Sequence, residues 1–205
     1  LDHNNLFYRI ISLENLFASW CEFKADKRNK SDVQEFERHL EDNMFSLHKE
    51  LSTKKYRHSE YNAFYVTDPK VRHIHKASVK DRVVHHAVFR ILYPIFDNGL
   101  IYDTYSCRFK KGTHRAVERL SGFIRKTNQN HAETCFALKC DIKKFFDSVN
   151  HEALMRLIKK KILDQDTIWL LEKVIKSYHK EENFQQKLFD PAAQTRERER
   201  DGALR

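Results

Sequence analysis

The chain has 205 residues, a third of them charged and 40% hydrophobic, with 25 aromatics, which is enough apolar material for a core and excludes global disorder. Four glycines and three prolines argue against a turn-rich β fold and for long regular elements, mostly helices. The net charge of +9 and the pI near 9.3 suit a phosphate-bearing polymer as partner, because each neutralised phosphate releases a counterion; solubility alone is the plainer alternative.

Cys21, Cys107, Cys135 and Cys140 show no paired C-x-x-C spacing and read as reduced thiols of a cytoplasmic protein, with no zinc site. The twelve histidines, His85 and His86 included, lack a metal-ligand pattern. No stretch resembles a membrane span or a targeting segment, so no membrane partner is expected. The chain opens on Leu1 rather than Met, which suggests that its true start lies upstream.

In chain order, Ser12 starts a helix bearing Leu13, Leu16, Phe17 and Trp20. Ser31 opens a second, where Ser-Asp-Val-Gln has capping-box spacing, and Val33, Phe36, Leu40, Met44, Leu47 and Leu51 form its core stripe. Asn62–Thr67 and Lys70–His75 read as a hairpin around Asp68-Pro69, with Phe64, Val66, Val71 and Ile74 as apolar positions. Ser78 caps a helix from Val79 that carries a broad apolar stripe to Phe96, with Pro94 bending or shortening its end.

Residues 97–113 read as an irregular connection turning at Gly99 and Gly112. Thr113 caps a helix bearing Ala116, Val117, Leu120, Phe123 and Ile124, followed by a polar turn from Thr127 to Glu133. Cys135–Cys140 has the length of a buried strand and ends on Asp141. Helices over roughly 150–161 and 166–178 complete an α+β pattern. From Glu181 the pattern dissolves, and Asp190–Arg205 alternates Arg and Glu, which reads as a disordered or non-native tail or as an exposed ion-paired helix.

A carboxylate at the end of a rigid strand suits Mg²⁺, which takes hard oxygens and keeps positions for substrate phosphates; a strand-end Asp that caps a turn is the alternative. In its wider setting, Asp141-Ile142-Lys143-Lys144-Phe145-Phe146-Asp147-Ser148-Val149-Asn150-His151 resembles the first catalytic motif of reverse transcriptases, nearest to bacterial enzymes of the group II intron and diversity-generating retroelement type. Pro69-Lys70-Val71-Arg72-His73-Ile74 and Lys80-Asp81-Arg82-Val83-Val84-His85-His86-Ala87 resemble the fingers of that family. Ile101–Ala116 resembles its Ser-Tyr-Gly-Phe-Arg-like stretch, with Ser106-Cys107 in place of the usual pair.

The resemblance covers about residues 6–178 and implies an RNA-directed DNA polymerase that uses two Mg²⁺ ions, an RNA template, a DNA primer and a dNTP. It implies a helical region over 1–60, fingers over 61–132, a partial palm over 133–180 and a tail over 181–205. Asp141 and the carbonyl of Ile142 would hold metal. Phe146 would close on the sugar, leaving Phe145 in the core and Asp147 and His151 capping the next helix. Arg72, Arg82 and Lys80 would hold the triphosphate, an Arg fork matching phosphate oxygens; an internal ion pair of Arg82 with Asp81 or another acid is the alternative.

Between Ser106 and Lys126 there are seven Lys or Arg and one acid, so Arg108, Lys110, Lys111 and Arg115 are candidates for nucleic-acid phosphates, against a merely solvated face. The family takes its remaining metal carboxylates from a Tyr-x-Asp-Asp turn, and these 205 residues contain none. That implies an inactive fragment; a non-catalytic, maturase-like RNA-binding module is the second expectation, and a plain basic helical nucleic-acid binder a third.

Overall fold

The computed structural model describes residues 5–130, 132–142 and 145–178, with the backbone only of Asp147. The expected tail, 181–205, lies outside the described residues, as do Lys143 and Lys144. The fold is α+β and mostly helical. In order come α1 (Leu6–Ile11), α2 (Leu13–Lys24), α3 (Ser31–Arg38), α4 (Leu40–Ser52), β1 (Asn62–Val66), β2 (Arg72–Lys76), α5 (Val79–Asp97), α6 (Thr113–Thr127), the single turn α7 (Phe145–Ser148), α8 (His151–Lys159) and α9 (Gln165–Lys176).

The core gathers around α5, against which α1, α2 and α3 pack, while α9 closes on α1. Ser12 begins α2 as its residue type suggests, its hydroxyl accepting from the Asn15 amide at 3.2 Å. Leu16, Trp20 and Phe23 of α2 are buried with Met44, Leu47 and Leu51 of α4 and Val83, Val84 and Ala87 of α5. Asn15, itself buried, ties α2 to α5 by donating from Nδ2 to the Ala87 carbonyl at 3.1 Å. Asp164 caps α9 through the amides of Asp166 and Thr167, and its other oxygen accepts from the Phe7 amide at 2.8 Å. One side chain thereby starts α9 and anchors α1 to it.

Local details depart from expectation in the first half. The Ser31–Gln34 capping box does not form: Lys30 holds the N-cap position, and Gln34 turns back to donate to the Arg28 carbonyl at 3.1 Å. The expected single helix breaks at His39, whose φ of −120° leaves the helical range. The apolar stripe survives the break because Val33, Met44, Leu47 and Leu51 still reach the same core. The six-residue helix α1 lacked a sequence expectation of its own; it is too short for a periodic signature and is held by the burial of Leu6, Phe7, Ile10 and Ile11.

The hairpin forms as expected, antiparallel, with Asn62 opposite Lys76, Phe64 opposite Ile74 and Val66 opposite Arg72. It stands out from the core, β1 being exposed along its whole length. Ser78 caps α5, accepting from the Asp81 amide, and the helix runs past Pro94 to Asp97.

The second half differs more. Residues 134–142 form neither helix nor strand, and among the described residues only β1 and β2 pair, so the expected strand has no neighbour to supply ladder hydrogen bonds. Phe136 and Leu138 are about nine-tenths exposed, so the segment is not buried. Phe145, expected in the core, is half exposed. The helix after it is capped by Asn150, whose Oδ1 accepts from the Ala153 amide at 2.8 Å, while His151 is its first residue. Asn150 wins because it stands immediately ahead of the first helical residue, where its side chain meets the free amides; the side chain of Asp147 lies outside the described residues. Helix α6 starts at Thr113 from an extended Gly112, without a side-chain cap. The left-handed turns before it fall at Cys107 and Lys110, with φ of 55° and 57°, rather than at glycine.

Candidate functional site

Two basic surfaces flank α5. The first lies at its start, where the hairpin meets the helices. Arg72 is exposed at the outer end of β2 and has no ion-pair partner among the described residues. Arg82 is different. Its Nη2 donates to Asp32 Oδ2 at 2.6 Å, its Nε lies 3.4 Å from the Ser78 carbonyl, and its guanidinium stacks 4.7 Å from the Phe23 ring centre. The expected alternative of an internal pair is therefore what the side chain makes, with Asp32 rather than Asp81.

Lys80 pairs with Glu50 at 3.2 Å and lies over the Tyr56 ring. Lys76, which sequence reasoning passed over, reaches the same Asp32 oxygen as Arg82, at 2.8 Å. No sequence signal joined positions 32, 76 and 82; chain folding brings α3, β2 and α5 together there. Burial works to raise the Asp32 pKa, but the hydrogen bonds from Lys76 and Arg82 hold it below the usual carboxylate range.

Beneath this surface Asp81 is wholly buried. Tyr56 Oη donates to it at 2.7 Å, Ser78 Oγ at 2.6 Å and the Ser59 amide at 3.0 Å. Burial opposes its ionisation, yet these donors, with His58 nearby, keep its pKa below the ordinary value. His58 in turn meets His85, Nε2 to Nε2, at 3.1 Å. Asp81 thus organises the entry to α5 and is structural.

The second basic surface is the connection after α5 together with α6. Arg108 is spent inside the protein: its guanidinium grips Asp97 at 2.6 and 3.2 Å and also donates to the Ile101 carbonyl. Lys111 donates to the Tyr102 carbonyl and lies 4.0 Å from the centre of that residue's ring. Arg115 reaches back to the Lys110 carbonyl, and Lys110 itself is exposed on its left-handed turn. Tyr102, Tyr105, Lys111, Arg115, Glu118 and Arg119 line an open cleft of about 490 Å³. Aromatic faces beside Lys and Arg are a chemistry suited to stacked bases and phosphates. Helix α6 buries none of its residues, and Val117, Leu120 and Phe123 remain exposed.

Asp141 and Ile142 are exposed, and Phe146 is 81% exposed, its ring 5.3 Å from that of Phe145. For a divalent metal, the described residues fit only in part. Asp141 offers a hard carboxylate, but no group of three or more His, Cys, Asp or Glu gathers around it or elsewhere among the described residues. The described residues do not complete a metal centre.

The family model described as "Reverse transcriptase (RNA-dependent DNA polymerase)" matches residues 66–193, more than half of the chain. The chain belongs to the reverse transcriptase family. Both basic surfaces and Asp141 fall within the family's range, whereas Asp32 precedes it. Among curated proteins, this reverse transcriptase relative is 26% identical to Protein YkfC of Escherichia coli (strain K12) over 110 residues, 54% of this chain and 28% of that protein. It is also 22% identical to the Putative COX1/OXI3 intron 1 protein of Saccharomyces cerevisiae over 180 residues, 85% of this chain and 21% of that protein. The chain thus spans about a quarter of the length of these relatives. Among the described residues no helix is long and apolar enough to cross a membrane. All four cysteines are unpaired.

Proposed function

We propose that this chain forms the fingers (61–132) and first palm segment (133–180) of an RNA-directed DNA polymerase, on a helical base of residues 1–60. The observation that carries the reading is the family match over 66–193, which spans β2 with Arg72, the basic connection and Asp141. Arg72, with Lys80 and Arg82 once released from their carboxylates, would hold the triphosphate of a dNTP by charge-assisted hydrogen bonds. Lys110, Lys111 and Arg115 would meet phosphates of an RNA template and DNA primer, and Arg108 would act by shaping the loop that presents them. Phe146 would close against the sugar. Asp141 and the Ile142 carbonyl would ligate Mg²⁺, which in such enzymes activates the primer hydroxyl and clamps the triphosphate. The unpaired cysteines support a reducing, cytoplasmic setting.

These 205 residues contain no Tyr-x-Asp-Asp. On this reading, a primer-extension assay with the 205-residue chain, Mg²⁺ and dNTPs yields no product, although a labelled RNA–DNA hybrid binds with strong salt dependence. Processive extension, or no hybrid binding at 50 mM salt, would count against it.

A second reading, a non-catalytic RNA-binding module, is favoured by the similarity to a protein named for an intron. Its mark is RNA binding that needs no Mg²⁺ and is unchanged in Asp141→Asn.

A further inference from the structure

Lys76, Arg82 and Asp32 form an ion cluster at the base of the hairpin. One carboxylate oxygen accepts from Nζ of Lys76 at 2.8 Å and from Nη2 of Arg82 at 2.6 Å. A phosphate oxygen asks for the same arrangement: two cationic donors converging on one anionic oxygen. Arg72 and Lys76 lie four residues apart on β2, so both side chains leave the same face of the ribbon, with Cα atoms about 13 Å apart. Arg72 and Lys76 of that face and Arg82 of α5 thus make a row of three cations, whose inner two are already occupied by an acid of this same chain.

We infer that Asp32 is a built-in stand-in for phosphate, holding Lys76 and Arg82 together while no nucleotide is bound, and that Lys76 is a triphosphate-binding cation of this protein. The inference rests on the triphosphate site proposed above and adds one ligand and one competitor to it.

Three observations support it. Asp32 is ionised at neutral pH, as the lowered pKa requires. Arg82 has other anchors, its stacking on Phe23 and its contact with the Ser78 carbonyl, so it keeps its place when Asp32 lets go. The Asp32 side chain is about one-third exposed, so an anion from solvent can approach and displace it. A triphosphate entering the row meets both competition and like-charge repulsion from Asp32, and the two effects act in the same direction.

The test is calorimetric binding of inorganic triphosphate, and separately of a dNTP, to the 205-residue chain at fixed salt. Asp32→Asn is expected to tighten binding by about threefold to tenfold. Lys76→Gln is expected to weaken it, and the double variant to lose most of the gain. A general structural lesion would loosen binding in every variant. If the wild type binds triphosphate and Arg72→Gln weakens that binding, yet Asp32→Asn leaves it unchanged or weaker, the stand-in is wrong while the site survives. If no variant binds triphosphate, the site itself falls and the inference with it. Should Asp32→Asn not fold, Lys76→Gln decides: undiminished affinity in that variant overturns the role given to Lys76.

Discussion

Asp97, at the start of the basic connection, is clasped by Arg108 within it, with Nε at 2.6 Å from one carboxylate oxygen and Nη2 at 3.2 Å from the other. Hydrogen bonding to the Arg108 guanidinium holds the Asp97 carboxyl below its ordinary range. The same guanidinium takes the Ile101 carbonyl, so a single side chain gathers α5 and the loop that follows it. Arg108→Gln is expected to speed amide exchange across 98–112 with little change in α2 or α4. Lys110→Gln, which removes an exposed charge, should leave exchange alone and lower the salt slope of RNA binding by about one. Hydrogen–deuterium exchange and a salt titration separate the two; equal loss of salt slope in both variants would show Arg108 to be a direct phosphate ligand.

Asp81→Ala leaves Tyr56 Oη, the Ser59 amide and Ser78 Oγ without their buried acceptor. The expected cost is about 2–4 kcal/mol in urea unfolding, because buried donors lose their partner rather than exchange it for water. A change below about 0.5 kcal/mol would mean that these donors find other acceptors.

Stability also depends on pH in a stated window. Burial, aided by the facing His58, lowers the His85 pKa from 6.5 to about 4. The unfolded chain binds this proton more readily, so the contribution is full above about pH 6.5 and is lost as pH falls towards 4. Asp81, Asp32 and Asp164, all held below their ordinary values, add a second loss as pH drops through about 4 and below. Denaturation midpoints at pH 7.5, 6.0 and 4.5 check the first step. His85→Gln is expected to flatten the profile between 6.5 and 4.5; an unchanged slope in that variant would assign the loss to other groups.

Asp164→Ala removes the α9 cap and its bond to the Phe7 amide together. Loss of about 1–2 kcal/mol is expected from the cap, with faster exchange at Phe7 reporting the second bond. Destabilisation without any change at Phe7 would show that α1 is held by apolar packing alone.

Much of the first half was legible because its signals are local. Ser12 and Ser78 stand where a hydroxyl meets free amides, and the apolar spacing of α2, α4 and α5 places one face of each against a core. The hairpin was equally plain from two short runs around Asp68-Pro69. The Ser31 box misled because its pattern states only what the side chains can do, and Gln34 found the Arg28 carbonyl instead.

Residues 134–142 mark where local reading stops. The short, mostly apolar run of Cys135–Cys140 has the length of a strand, but a strand is a relation between two segments, and among the described residues none pairs with this one. For that reason the motif names Asp141 and Phe146 as candidates, while their exposure is not written in it. Residue type and spacing alone determined the basic character, the helical core, the hairpin and the family resemblance, since each is written in neighbours along the chain. Tertiary structure alone decided that Arg108 serves Asp97, that Arg82 serves Asp32, and that Lys76 joins them. Ion pairs form between residues that folding brings within about 4 Å, and a separation of 44 or 50 positions leaves no trace of that in the sequence.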